Sequence, residues 1–295
     1  MSASSIHFVT RPDHRYTHEL FAHEMQSRFD LPVFVSDYWT LGTATLKDAI
    51  VVMCDLERFT SDTVSVVAQA EEDARCRGAR VILNSPSRVK RRLELLIHLY
   101  TTGLNTFQAF PVGTPVNQLH FPVFLRKQHE HNGPRSALLY NEAAFTTALS
   151  QNTISPPDLI VEFVDCRETG IHPFHKYGAV GWCGKVLPRH LFFSDKWVVK
   201  QSTVVNEDYL SRERDYIDNN CFASEVSHVF CEAGIDYGRI DFAKNPAGGI
   251  ITYEINTNPH IIDEGDLTNH ARGYVTEAFL IRMAKEIGQT LTDGP

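Results

Sequence analysis

Gly234-Ile-Asp-Tyr-Gly-Arg-Ile-Asp-Phe-Ala243, Lys244-Asn-Pro-Ala-Gly-Gly249 and Ile250-Ile-Thr-Tyr-Glu-Ile-Asn-Thr-Asn-Pro-His260 follow one another without a break. Two alternating runs flank a Pro/Gly-rich turn, which predicts an antiparallel hairpin. Side chains alternate along a strand, so Ile240 and Phe242 share one face, as do Ile251, Tyr253 and Ile255. The opposite face then carries Arg239 and Asp241 from the first strand, and Thr252, Glu254 and Asn256 from the second. Hard oxygen ligands of this kind suit magnesium, which takes one or two carboxylates together with substrate phosphates. An arginine beside them can neutralise charge on a transferring phosphoryl or acyl-phosphate group. Hairpin physics alone leaves an ordinary solvated sheet face as an equal alternative.

Working outward, 295 residues with 43% hydrophobic content can bury a sizeable core and predict two or three domains. A formal charge of −8 argues against a sequence-independent nucleic-acid binder, which needs a basic footprint. The first ten residues lack a basic region followed by an apolar stretch, and no apolar run approaches a membrane span. A soluble, cytoplasmic protein with no nucleic-acid or membrane partner is expected. Six scattered cysteines without a Cys-x-x-Cys pair predict reduced, partly buried thiols rather than a disulfide frame or zinc site.

Upstream, apolar runs at Ile6–Thr10, Pro32–Ser36, Ala49–Cys54 and Arg80–Ser85 alternate with helical stretches at Tyr16–Phe29 and Thr63–Gly78. That alternation predicts a small parallel α/β domain. It contains neither Gly-x-Gly-x-x-Gly nor a Walker A loop. Ser85-Pro-Ser87 reads as the opening of a helix ending at Gly103, with Val89, Leu93, Leu96, Ile97 and Tyr100 on one face. Lys90, Arg91 and Arg92 are read as a solvated face in preference to a phosphate or nucleic-acid contact. Further strands are predicted at Phe121–Lys127, Ala137–Tyr140 and Leu159–Val164, and two more around Cys183-Gly-Lys185, with a helix near Asn141–Ser150. Helices follow at Tyr209–Asn219, read as a charged solvated face, and at Ala223–Gly234. The last is Tyr274–Gly288, with Phe279, Ile281, Met283 and Ile287 as its apolar side.

Arg-Ile-Asp-Phe followed thirteen residues on by Glu-Ile-Asn-Thr-Asn-Pro resembles the metal-binding signature of the ATP-grasp superfamily. The form is closest to D-alanine–D-alanine ligase, glutathione synthetase and the ribosomal-protein glutamate ligases. The resemblance implies an ATP-grasp fold, α/β with α+β character in the catalytic part. It divides the chain into a small amino-terminal lobe (1–84), a central subdomain (85–165) and a carboxy-terminal subdomain with the metal site (166–295). It makes Asp241, Glu254 and Asn256 the ligands of magnesium, or manganese in its place, and Arg239 the acyl-phosphate contact. Where the D-alanine ligases have a glycine after Asn-Thr-x-Pro, this chain has His260, which bears on the substrate rather than the metal.

The same resemblance reads other segments. Arg126 stands where a phosphate-binding lysine is usual, with Lys127 as the neighbouring alternative. Residues 128–135 match the loop that closes over ATP, and its His129 and His131 are expected to be exposed, with His-x-His too sparse for zinc. Phe163 and Val164 would meet adenine through their backbone, and Glu162 and Asp165 are the candidates for the ribose, unless they are a sheet-edge residue and a turn former. Lys176, in place of a common arginine, and Arg189 would meet phosphates or the carboxylate, and Lys200 is a further phosphate candidate. A nucleophilic Cys166 or Cys183 has no base positioned by the sequence. Asp263, Glu264 and Asp266 either select a cationic acceptor or are solvated. The implied activity is an ATP-dependent carbon–nitrogen ligase joining a small carboxylate to an amine or other nucleophile, and the family allows a homodimer. An ATP-grasp kinase and a non-catalytic nucleotide-binding module are the competing readings.

Overall fold

The computed structural model describes residues 3–41, 44–60, 63–151, 158–168, 173–262, 265 and 272–295. The expectations for Asp263, Glu264 and Asp266 lie outside the described residues.

The amino-terminal sheet is parallel, in the order β2-β1-β3-β4, with β1 at Ile6–Thr10, β2 at Val33–Asp37, β3 at Ile50–Met53 and β4 at Val81–Leu83. Its two inner strands are buried on both faces, as near-continuous apolar runs require. Ile6, Phe8 and Val52 pack with Phe21 and Met25 of α1 (Tyr16–Phe29). Val51 and Met53 look the other way, toward Val67, Ala70 and Ala74 of α2 (Val64–Cys76).

The second sheet is antiparallel, ordered β5-β7-β6, from β5 (Ala109–Pro111), β6 (Val123–Arg126) and β7 (Leu159–Glu162). One face, with Val123, Leu125 and Ile160, packs on Phe145 and Ala148 of α4 (Glu142–Gln151). The other, with Leu159 and Val161, joins Leu96 of α3 (Arg92–Thr101) and Ala243 and Ile251 of the third sheet.

The third sheet is also antiparallel, ordered β11-β10-β8-β9, from β8 (Phe174–Trp182), β9 (Lys185–Ser194), β10 (Tyr237–Lys244) and β11 (Ile250–Asn256). The β8–β9 turn places Cys183 and Gly184 at φ 48° and 80°, the left-handed pair that a tight two-residue hairpin needs. Helices α5 (Glu207–Asn219), α6 (Ala223–Ala233) and α7 (Gly273–Asp293) accompany this sheet. No helix among the described residues is long and apolar enough to cross a membrane.

Four local expectations change. The helix expected from Ser85 begins at Arg92, because the Glu94 carboxylate caps the Arg91 N–H at 3.0 Å and sets the start there. Its buried face is Arg92, Leu95, Leu96 and Leu99, and Tyr100 is exposed. Residues 137–140 make a single bridge, Leu139 to Val123, rather than a strand. Helix α5 is not solvated all round, since Glu213, Tyr216 and Ile217 are buried and Glu213 pairs with Arg272. On α7, Ile281 faces outward.

Candidate active site

The hairpin places its polar residues in register. Asp241 lies opposite Glu254 and Arg239 opposite Asn256. A β-bulge between Asp241 and Phe242 breaks the alternation, so Phe242 pairs with Thr252 and Tyr253 has no partner in the ladder. Bulges re-aim side chains beside functional sites. Here Tyr253 lines the same cleft as Glu254 and Asn256 instead of the opposite face, and Thr252 is fully buried, its backbone held by both ends of the Asn105 amide at 2.9 Å.

Both carboxylates are clasped by cations. Lys176 Nζ donates to Asp241 at 2.8 Å and Arg239 Nε at 3.0 Å. Glu254 Oε2 accepts from Arg92 at 2.8 Å and from Arg126 at 2.9 Å. Burial alone would raise both carboxyls. Arg239 and Lys176 hold Asp241 below its ordinary value, and Arg126 and Arg92 hold Glu254 well below. Asn256 Oδ1 accepts the Asn258 N–H at 2.8 Å. Four cations against two carboxylates leave an excess of positive charge that suits a polyphosphate. The Nε atoms of Arg92 and Arg126 are buried without a hydrogen-bond partner among the described residues.

Arg92 is the residue that sequence reasoning misplaced. Its side chain is 2% exposed. One nitrogen collects the carbonyls of Lys127, Gln128 and Glu130 at 3.0, 2.6 and 2.9 Å, and the other reaches Glu254. Leu95 and Leu99 were the signal, since with Leu96 they make a stripe that includes Arg92. The loop this guanidinium gathers is therefore docked, and its histidines are not free in solvent. His129 Nδ1 is 2.9 Å from the Glu57 carbonyl, and His131 Nε2 is 3.0 Å from the buried Glu57 carboxylate. Burial alone would raise the Glu57 carboxyl, but His131 and Thr257 outweigh it and hold it at about 2. Among the described residues no group of three His, Cys, Asp or Glu side chains is placed to hold a metal ion. The oxygen set of Asp241, Glu254 and Asn256 fits magnesium, which keeps most of its shell for phosphate and water.

A cavity of about 360 Å³ opens from these residues between the second and third sheets. Its far end is aromatic. Trp197 lies 5.1 Å from Phe124 and 5.9 Å from Phe163 between ring centres, and Phe163 lies 6.4 Å from Phe174. The Phe163 N–H is taken by the Pro122 carbonyl at 2.9 Å, and Phe163 and Val164 both line the cleft. Cys166 is at the wall, its thiol pushed up by burial, and burial pushes Cys183 up to about 12, so neither is set up as a thiolate.

Arg126, Lys176, Lys200, Arg239, Asp241, Glu254 and Asn256 thus meet at one cleft. Lys200 Nζ reaches across to the Asn132 carbonyl at 3.0 Å. Four candidates are placed otherwise. Lys127 follows Val123 and Leu125 onto the other face of β6 and pairs with Glu130 at 2.5 Å. Glu162 lines the cleft, but its carboxylate accepts the N–H of Gln108 at 2.9 Å and of His120 at 3.0 Å. Asp165 is exposed and forked with Arg167. Arg189 is buried away from the cleft, donating to the Ile261 carbonyl at 3.0 Å and lying 5.3 Å over the Phe279 ring.

No family model matches the chain, and no curated protein matches it. Among solved structures it is similar to the VanG D-Ala:D-Ser ligase of Enterococcus faecalis, at 11% identity over 98% of this chain and 100% of that one, TM-score 0.54. It is similar to a RimK domain ATP-grasp protein of Sphaerobacter thermophilus, at 11% identity over 94% and 100%, TM-score 0.52. It is also similar to D-alanine–D-alanine ligase of Bacillus anthracis, at 12% identity over 96% and 99%, TM-score 0.51.

Proposed function

We propose that this chain, which has the ATP-grasp fold, is an ATP- and magnesium-dependent ligase joining a small amino-acid or peptide-like carboxylate to an amine. The observation that carries the reading is the paired carboxylates Asp241 and Glu254, each held by two cations, at the mouth of an aromatic cleft. Adenine would lie between Trp197, Phe124 and Phe163, reading the Phe163 carbonyl and the Val164 N–H. Arg126, Lys176 and Lys200 would meet the phosphates. Asp241, Glu254 and Asn256 would hold magnesium, which supplies charge neutralisation on the phosphate oxygens. Manganese has the same ligand preferences and could replace it.

The carboxylate oxygen attacks the γ-phosphorus in line, ADP leaves, and an acyl-phosphate forms. The amine then attacks the carbonyl carbon, and phosphate departs. Such transfers depend on positioning and charge neutralisation more than on covalent chemistry by the protein. Arg239, tied to Asp241 and within 3.5 Å of the His260 carbonyl, stands where the acyl-phosphate would turn toward the acceptor.

Coupled ADP release with magnesium across pooled amino acids, dipeptides and small carboxylates tests this. Turnover with a carboxylate and an amine together, abolished in Asp241→Asn and Glu254→Gln, is expected. ATP binding by calorimetry without turnover in any pool would remove the ligase, and absence of binding would remove the nucleotide site.

A further inference from the structure

The turn that leaves β3 carries a buried carboxylate set back from the cleft. Glu57, in the 3-10 turn Leu56–Arg58, is 3% exposed and is not among the residues lining the cleft. Its two oxygens serve two different segments. Oε1 accepts from His131 Nε2 at 3.0 Å. Oε2 accepts the Thr257 N–H at 3.2 Å and is also bonded by the Thr257 hydroxyl. The backbone of the turn repeats both attachments. The Glu57 carbonyl is 2.9 Å from His129 Nδ1, and the Leu56 N–H donates to Thr257 Oγ1 at 2.9 Å.

The other nitrogen of the His131 ring faces Arg92, whose Nη2 lies 3.3 Å from Nδ1. A guanidinium has donors and no acceptor, so Nδ1 presents its lone pair and Nε2 carries the hydrogen that Glu57 takes. The same Arg92 nitrogen donates to Glu254 at 2.8 Å. A closed circuit results, from Glu57 through His131 and Arg92 to Glu254, then along the chain to Thr257 and back to Glu57. The held segment is part of the cleft wall, since His131, Gly133 and Pro134 line it.

We propose that Glu57 is a positioning residue for the nucleotide: through His131 it latches residues 127–133 over the cleft, and through Thr257 it fixes that latch against β11. The inference rests on the nucleotide reading of the cleft, to which it adds a residue that never touches the ligand. Ordering a loop at the moment of binding opposes affinity through lost backbone freedom. A segment already held when the nucleotide arrives is spared that loss, so cutting the latch weakens binding.

Calorimetry with magnesium and a non-hydrolysable ATP analogue tests this on the full-length wild type, Glu57→Gln, His131→Leu and the double variant. Each single substitution is expected to weaken the analogue by about tenfold, the loss of one charge-assisted hydrogen bond. The double variant should be no weaker than either single one, because both cut the same link. His131→Gln, whose amide can donate to Glu57 and accept from Arg92, should recover most of the affinity. In nucleotide-free His131→Leu, amide hydrogen exchange at 127–133 should accelerate while the β10–β11 amides keep their protection. That readout also carries the test if Glu57→Gln fails to fold. Losses that add in the double variant would mean that His131 meets the nucleotide by itself. Unchanged affinity, or equal acceleration in the hairpin, would make Glu57 and His131 merely structural. Any of these overturns the latch and leaves the nucleotide site standing, whereas no binding by wild type would remove both.

Discussion

Asp241 and Glu254 face each other as Cα partners across β10 and β11, yet among the described residues no cation bonds to both. Lys176 and Arg239 serve the first, Arg92 and Arg126 the second. Removing one carboxylate therefore strands a specific pair of cations. Glu254→Gln leaves two buried guanidiniums against one another, so a loss of about 3 kcal/mol in urea unfolding is expected without ligand. Magnesium with a non-hydrolysable ATP analogue should raise the melting temperature of wild type and not of the variant. An unchanged unfolding midpoint would show that the pairs carry no such weight.

Arg126 ends β6 and lines the cleft, whereas the adjacent Lys127 is not among the residues lining it. Arg126 is held inside the cleft by Glu254, whereas Lys127 makes a half-exposed pair with Glu130, a kind worth about 0–1 kcal/mol. Arg126→Met is expected to weaken ATP binding by about tenfold or more, the loss of a charge-assisted hydrogen bond. Lys127→Met should leave it near wild type. Calorimetry on the two variants decides, and the reverse order would put Lys127 on the phosphates.

Glu162 illustrates a carboxylate whose work is architectural. It ties the amides of Gln108 and His120, which are 54 and 42 residues away in sequence, to the end of β7. Glu162→Gln should cost about 1–3 kcal/mol of stability, since an amide group satisfies two donors less well than a buried carboxylate. ATP affinity should stay close to wild type. A large loss of affinity with intact stability would restore Glu162 as a ribose ligand.

These outcomes mark what was legible in the chain. Alternation along two short strands was enough to bring Arg239, Asp241, Glu254 and Asn256 to one face, because the strand period is a local property. It failed at Tyr253, where one extra residue in β11 turns a core-facing ring toward the cleft. Arg92 was hidden because Leu93, Leu95, Leu96, Ile97 and Leu99 allow two neighbouring apolar stripes on this helix, and tertiary packing buries the one that contains Arg92. Lys127 could have been set aside from the pleat of Phe121–Lys127 once Arg126 was placed. The partners of Glu162, and the Asp55–His14 pair whose members are 41 positions apart, are tertiary and leave no local trace.

His18 joins α1 to the β10–β11 hairpin, and its protonation should set the acid stability of that junction. The ring is fully buried, with Nε2 at 2.6 Å from the Tyr237 hydroxyl and Nδ1 at 2.9 Å from Thr17 Oγ1, stacked on Phe8. Burial, with some repulsion from His260, lowers its pKa from 6.5 to about 3. Between those values the unfolded chain binds a proton that the folded chain refuses, so stability rises with pH across the window. The contribution is complete above the unfolded value of 6.5 and is lost progressively as pH falls toward 3. From pH 7 to 5 the loss attributable to this one ring is about 2 kcal/mol. Other buried histidines, His7, His175 and His190, are shifted in the same direction, so the comparison must be with His18→Gln rather than with wild type alone. The gap in urea stability between wild type and this variant should narrow by about 2 kcal/mol between pH 7 and pH 5. A gap that stays constant would mean that His18 takes up its proton in the folded chain over the same pH range as in the unfolded one, so that its burial does not oppose protonation.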